Sequence, residues 1–142
     1  MKRPKILLAD TGLTANLMDL DDAQVEKDAT MYGHLLECFV AMELRKQITW
    51  SRTRPSMYHF RTHSNVEVDL VLESPSSDIV GIEVKAASRV RNEDLRGLEL
   101  LRDMAGDRFR RGIVLYTGTD WVPLGGDLQA IPMTALWRTP PD

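Results

Sequence analysis

A chain of 142 residues is long enough for one domain with a buried core and too short for two ordinary domains. Its composition, 43% hydrophobic and 27% charged, is that of a folded globular protein and excludes a disordered chain. The formal net charge of −3 gives no overall attraction to nucleic acid, so contact with a phosphate backbone would need a local basic patch.

A single cysteine and the absence of a long apolar segment indicate a protein of a reducing compartment. Cys38 has no second cysteine with which to form an internal disulfide or a thiolate zinc site. The opening stretch MKRPKILLAD has only a short apolar run, well below the roughly 18 residues that a membrane span needs. We therefore expect a cytoplasmic protein without a membrane partner, in which residues 1–142 form one domain.

The N-terminal part of the chain begins with an aliphatic run and leads into the longest predicted helix. Lys5 to Ala9 is typical of a buried strand, and Asp10 after it is interpreted as a helix cap or, alternatively, as a metal ligand. Thr30 to Gln47 has apolar residues at helical spacing, with Thr30 as the predicted cap. Glu37 lies at the edge of that apolar stripe, which favours a boundary residue unless a site lies beside it.

Residues 57–63 alternate apolar and polar side chains in the pattern of a half-buried strand. His59 and His63 are four residues apart, which in a strand separates them by about 13 Å, too far to share one zinc ion. His59, Arg61 and His63 form a polar stripe, interpreted either as a plain solvent face or as a basic surface.

The segment Asn65–Lys85 is predicted to be a hairpin that carries the chemistry. Two strands with alternating side chains flank a polar turn at Ser74 to Asp78. When such strands pair, Asp69, Glu83 and Lys85 lie on one face and aliphatic side chains fill the other. Two carboxylates and an amine are then expected to converge.

The rest of the chain predicts a second helix followed by a β-rich end. Asn92 to Ala105 has leucines at helical spacing, with Asn92 as a cap and Gly106 as a stop. Because prolines interrupt the last strands, we expect these strands at edge and turn positions. The remaining segments are three predicted strands and a short closing helix: 111–116, 121–123, 128–132 and 133–137. The order βαβββαβ with a β-rich end places the fold in the α/β (α+β) class.

Asp69, followed by Glu83 and Lys85 two residues apart, is a spacing that suits a specific chemistry. Two carboxylates on a sheet can hold Mg²⁺ or Mn²⁺, and such a metal assists hydrolysis of a phosphodiester. Lys85 would orient or deprotonate a water and stabilise negative charge. Glu37 would be an auxiliary ligand or base if the first helix reaches the pocket. The alternative interpretation is a solvated strand face with a surface ion pair.

The order of elements and several phrases resemble known proteins. A helix with Glu, a strand, a strand with Asp, a strand with Glu-x-Lys, a helix and a strand resemble the PD-(D/E)XK nuclease core over residues 30–116. The phrases PKILLADTGL, GHLLECFVAMEL, VEVDLVLE, VGIEVKAAS and GDRFRRGIVLYTG resemble a domain of unknown function at the C-terminus of prokaryotic AAA-type ATPases. The resemblance implies a restriction-endonuclease-like core: a central mixed β-sheet flanked by α-helices, with a divalent metal at its forked end.

Carried over to this sequence, the nuclease signature falls on Glu37, Asp69, Glu83 and Lys85, with Mg²⁺ or Mn²⁺ as the implied cofactor. The sequence has no GxxxxGK[ST] phosphate loop, so we expect no ATP binding. Because the resembling proteins carry an ATPase module upstream, the expected origins of this chain are a stand-alone domain, a split-gene product or the remnant of a truncated ATPase.

Three functions remain open at this point. The first is metal-dependent hydrolysis of DNA or RNA, as an endonuclease or an exonuclease. Its predicted phosphate-binding residues are Arg61, Arg89, Arg91 and Arg96. The second is a catalytically silent interaction or regulatory domain that binds an AAA-type ATPase, marked by exposed apolar surface near Met1 to Leu13 or Trp121 to Trp137. The third is binding of nucleic acid without cleavage. A homodimer is the expected assembly.

Overall fold

In the computed structural model, which describes residues 9–17 and 28–137, six strands form one mixed sheet. The helices are α1 (Thr11–Leu17), α2 (Ala29–Trp50) and α3 (Arg96–Ala105). The strands are β1 (Ser56–Arg61), β2 (Glu67–Glu73), β3 (Ile79–Lys85), β4 (Phe109–Tyr116), β5 (Val122–Gly125) and β6 (Leu128–Pro132). Short 3-10 helices lie at Asn92–Leu95, Gly106–Arg108 and Met133–Leu136.

The strands are arranged in the order β1-β2-β3-β4-β6-β5. β3, β4 and β6 are parallel, whereas the pairs β1–β2, β2–β3 and β5–β6 are antiparallel. The expected mixed sheet with helices is therefore confirmed, while the strand predicted at Lys5 to Ala9 falls almost entirely outside the described residues. None of the described helices combines the length and the apolar character that crossing a membrane requires.

The first two helices begin at aspartates. Asp10 accepts a hydrogen bond from the Leu13 amide at 2.8 Å, which confirms its role as a cap. The cap of α2 is Asp28, whose carboxylate accepts from the amides of Thr30 and Met31 at 3.1 and 2.9 Å. The prediction of Thr30 as the cap was wrong, because the carboxylate two residues earlier satisfies the free amides and starts the helix at Ala29.

The sheet has an apolar core on each face. On one face, α2 packs through Val40 and Ala41 on a cluster that includes Leu70 and Ile82. On the other face, α3 packs through a cluster of leucines that includes Leu98. Close packing on that side requires glycine in β3, because a Cβ at Gly81 would lie 2.8 Å from Leu98 Cδ2. The hairpin is thus covered on both faces.

The C-terminal strands differ from their predicted positions. β5 is an edge strand, as the proline at position 123 suggests, but β6 lies inside the sheet between β4 and β5. The prediction of an edge position for 128–132 was wrong, since Pro132 is the last residue of β6 and leaves the preceding residues able to pair on both sides.

Candidate functional site

The hairpin of β2 and β3 is open at one end. Their pairing runs from the turn as far as Leu70 and Ile82 and stops there. Beyond that point each strand remains paired with its outer neighbour, β2 with β1 up to Glu67 and β3 with β4 up to Lys85. We call the separated segments, residues 67–69 of β2 and 83–85 of β3, the fork.

A β-bulge in β2 lies at the start of the fork. Tyr58 of β1 is paired with Val71 and Phe60 with Val68, so β2 uses three steps where β1 uses two. As a result Val68 and Val71 both join the core beneath α3, although they are an odd number of residues apart. The expectation of unbroken alternation through Asp69 was therefore wrong, because the extra residue changes the direction of the side chains in the bulge.

Asp69 binds the opposite strand with its side chain. The backbone amide of Val84 donates to Asp69 Oδ2 at 2.9 Å. Where the two strands separate, a carboxylate oxygen thus replaces a backbone carbonyl as the acceptor for β3. This bond fixes the Asp69 side chain across the fork.

Ile82 and Val84 pack in the cluster on the α2 side of the sheet. Glu83 and Lys85 alternate with them along β3 and therefore lie on the α3 side. Glu83 Oε1 is 3.1 Å from Lys85 Nζ, and the side chain of Glu83 is only 14% exposed. Its second oxygen, Oε2, is buried and has no hydrogen-bond partner among the described residues. Such an atom is costly to bury and is therefore uncommon in native proteins.

The surroundings of Glu83 disfavour its ionised form. Burial and the nearby negative charge of Asp69 raise the pKa of Glu83 to about 7, against the opposing effect of the Lys85 ammonium. The carboxyl group is therefore partly protonated near neutral pH. Perturbation by burial together with a like charge is typical of functional carboxylates, although structural ion pairs also produce it.

Lys85 contacts a second carboxylate that the sequence interpretation did not include. Lys85 Nζ is 3.3 Å from Asp94 Oδ1 in the 3-10 helix before α3. Burial lowers the pKa of Lys85, but the charges of Glu83 and Asp94 outweigh burial and the net shift is upward. Asn92, predicted as a cap, is instead the first residue of that 3-10 helix. The helical spacing predicted the second helix but did not indicate a contact between its start and Lys85.

Glu37 is buried in α2, one turn before Ala41. Val40 and Ala41 pack in the cluster that contains Leu70 and Ile82, so Glu37 lies on the α2 side of the sheet, whereas Glu83 and Lys85 lie on the α3 side. Within residues 9–17 and 28–137, no three His, Cys, Asp or Glu side chains are grouped closely enough to hold a metal ion. The ligand set of Asp69, Glu83 and Glu37 stays a prediction.

The four arginines predicted to bind phosphate lie around the fork and are all exposed. Arg61 is paired in register with Glu67 and forms a 3.1 Å ion pair with it. Arg91 forms an ion pair of 3.2 Å with Glu93. Arg89 lies in the connection after β3, and Arg96 is the first residue of α3. Two of the four guanidinium groups are thus paired with neighbouring carboxylates, and phosphate binding by these arginines stays a prediction.

The chain is similar to a family of unknown function and to uncharacterized mycobacterial proteins. Residues 32–136 match the model of a family described as a domain of unknown function, DUF4143. Uncharacterized proteins of Mycobacterium bovis and Mycobacterium tuberculosis are each 28% identical to it over 143 residues, covering 97% of this chain. The chain spans 29% of the length of these relatives. No solved structure matches it.

Proposed function

Because the chain belongs to the DUF4143 family, whose description assigns no activity, we propose its function from the fork itself. The proposed activity is hydrolysis of phosphodiester bonds in DNA or RNA with a divalent cation held by Asp69 and Glu83. One observation carries this proposal: a nearly buried Glu83 carboxylate, with a pKa of about 7, lies beside Asp69 and Lys85 where the strands separate.

The donor atoms at the fork suit a hard cation. Glu83 Oε2 is a buried oxygen without a hydrogen-bond partner among the described residues, and a cation bound there would offset the cost of burying it. Mg²⁺ is commonly held by one or two carboxylates together with water and substrate phosphate oxygens. A pair of protein ligands is therefore sufficient, and a third protein ligand from Glu37 is part of the proposal without being required by it.

The residues at the fork have separate roles in the proposed reaction. When bound, the cation neutralises charge on a phosphodiester and acidifies a water molecule. Lys85 donates hydrogen bonds from its ammonium group to a phosphoryl oxygen and stabilises the negative charge that develops there. Asp69 and Glu83 bind and orient, and the Asp69 side chain is already fixed by the Val84 amide.

The substrate class follows from the exposed arginines around the fork. Arg61, Arg89, Arg91 and Arg96 are proposed to contact phosphates on either side of the bond that is cut. Because they act on the backbone and not on bases, binding should fall steeply as salt increases and depend little on sequence.

The order of elements supports placing the domain in the PD-(D/E)XK superfamily. α2 contributes Glu37, β2 contributes Asp69, and β3 contributes Glu83 and Lys85, followed by α3 and β4. This is the order expected of that nuclease core. The superfamily assignment is a proposal that rests on this order and on the four residues.

A Mn²⁺ titration by calorimetry tests the proposal, followed by cleavage assays on single-stranded DNA, double-stranded DNA and RNA. We expect Asp69→Asn and Glu83→Gln to weaken Mn²⁺ binding at least tenfold and to abolish cleavage. Asp103→Asn, which removes an exposed carboxylate on α3, is the matched control and should change neither. The proposal is lost if Mn²⁺ binds wild type no more tightly than Asp69→Asn.

A second candidate function is that of a non-catalytic domain that binds a partner, such as an AAA-type ATPase. It is favoured by large exposed apolar side chains: Leu13 is 55%, Trp121 63% and Trp137 52% exposed. A contiguous patch of such side chains marks a protein–protein contact. Normal Mn²⁺ binding without cleavage of any of the three nucleic acids would favour this candidate over the nuclease.

A further inference from the structure

The ammonium group of Lys85 is shared between two carboxylates. It lies 3.1 Å from Glu83 Oε1 and 3.3 Å from Asp94 Oδ1. Glu83 belongs to the proposed cation site, but Asp94 lies outside it, in the 3-10 helix that precedes α3. Lys85 therefore bridges the strand that holds the cation and the start of the next helix.

Asp94 is itself held in place. Its side chain is 17% exposed, and its second oxygen, Oδ2, accepts a hydrogen bond of 2.8 Å from the Arg91 amide. One oxygen thus binds the backbone and the other faces Lys85. A carboxylate fixed in this way offers the ammonium group a partner whose position does not depend on Glu83.

Cation binding would change the balance between the two partners of Lys85. A divalent cation on Glu83 competes with the ammonium for the same carboxylate and repels it, because both carry positive charge. Without another anion nearby, Lys85 would leave the fork or hinder the cation. Asp94 provides that anion.

We propose that Asp94 is a positioning residue that retains the Lys85 ammonium at the fork when a divalent cation occupies Glu83. That Asp94 holds the Lys85 ammonium rests on the metal-free contacts. That it does so while a cation occupies Glu83 rests on the proposed function. Asp94 would touch neither the cation nor the substrate and would act only through Lys85.

Asp94→Asn separates this role from capping. Asparagine still offers a side-chain oxygen to the Arg91 amide, the bond that Asp94 makes from position N3 of the 3-10 helix, but it carries no charge. We expect its melting temperature to stay within a few degrees of wild type. Glu93→Gln, which removes a charge at the neighbouring exposed position, is the matched control for the general electrostatic field.

Mn²⁺ affinity measured over a double-mutant cycle tests the proposed exchange. Asp94→Asn should weaken Mn²⁺ binding by about three- to tenfold when Lys85 is present, because the ammonium then stays on Glu83. In a Lys85→Met background the same substitution should change the affinity less than twofold, as should Glu93→Gln in wild type. Equal losses in both backgrounds would mean that Asp94 does not act through Lys85.

The metal-free contact is tested separately by ¹H–¹⁵N NMR of lysine ammonium groups, with Lys85→Met identifying the signal. A slowly exchanging Lys85 signal is expected in wild type and in Glu83→Gln, where Asp94 is the remaining carboxylate partner, and its loss is expected when Asp94→Asn is added to Glu83→Gln. Survival of the signal in this double variant overturns the inference. If wild type binds no Mn²⁺, the proposed function fails, and the NMR result still decides whether Asp94 holds Lys85.

Discussion

At the turn end of the β2–β3 hairpin, Asp78 accepts hydrogen bonds from Arg110 Nε at 2.7 Å and from the Ser76 hydroxyl at 3.0 Å. At the fork, about one strand length away, Glu83 has a buried oxygen that no described residue satisfies. The hydrogen bond from Arg110 lowers the pKa of Asp78, whereas burial raises that of Glu83. The same hairpin thus stabilises the ionised form of Asp78 and destabilises the ionised form of Glu83.

This difference separates a structural charge from a candidate functional one. The turn end is closed by its own groups: the Ser74 hydroxyl accepts from the Asp78 amide, and Arg108 is 3.6 Å from Glu73. Its charges are matched without any ligand. At the fork, the carboxylates outnumber the ammonium that lies between them, so a further cation would lower the energy of the site.

The largest effect should come from removing the amine at the fork. Lys85→Met is expected to lower the rate of nucleic-acid cleavage by about 10² to 10⁴, the range typical of a lost proton-transfer or charge-stabilising group. Arg110→Met removes a cation from the turn end and should leave the rate within about twofold. Steady-state cleavage at saturating Mn²⁺ measures both. Similar losses in the two variants would remove the distinction between the ends.

The second effect is a dependence of stability on pH with opposite signs at the two ends. The pKa of Glu83 is about 7 when folded, against an ordinary value of 4.5, so its contribution is fully present below pH 4.5 and is lost as pH rises to 7. The loss amounts to about 3 kcal/mol of unfolding free energy. For Asp78 the pKa is lowered, so its contribution is present at neutral pH and lost on acidification.

Urea unfolding in the presence of a chelator, from about pH 2.5 to pH 8, checks this prediction. Relative to Glu83→Gln, wild type should lose stability as pH rises towards 7; relative to Asp78→Asn, it should lose stability as pH falls below 3.8. A constant difference between wild type and Glu83→Gln across this range would show that the Glu83 carboxyl is not perturbed.

The smallest effect concerns the helix that covers the fork. A Cβ at Gly97 would lie 2.1 Å from the backbone oxygen of Glu67, so Gly97→Ala must push α3 away from β2. We expect a loss of about 2 kcal/mol, as for other overpacked sites. Gly33→Ala, in α2 with no atom within 4 Å of the added Cβ, should instead be neutral or stabilising. Chemical denaturation compares the two.

The sequence predicted the elements around the fork better than their junctions. Strong periodicity located α2, α3 and the hairpin, and the predicted turn at Ser74 to Asp78 is confirmed by the hydrogen bond from the Ser74 amide to the Asp78 carbonyl. The bulge at Asp69 was not predictable, because it depends on how β2 pairs with β1. The contact between Lys85 and Asp94 was not predictable either, because it forms only when α3 packs on the sheet.

The direction of the parallel strands has a consequence for how this domain can diversify. β3, β4 and β6 are parallel to one another. The loops that follow their carboxyl ends therefore lie at one edge of the sheet, next to the fork. Two of them are joined by a hydrogen bond from the Thr117 amide to the Ala87 carbonyl at 3.1 Å. Substitutions can lengthen these loops or change their charge while the strands remain intact, so the surface beside the fork can change without changing the sheet.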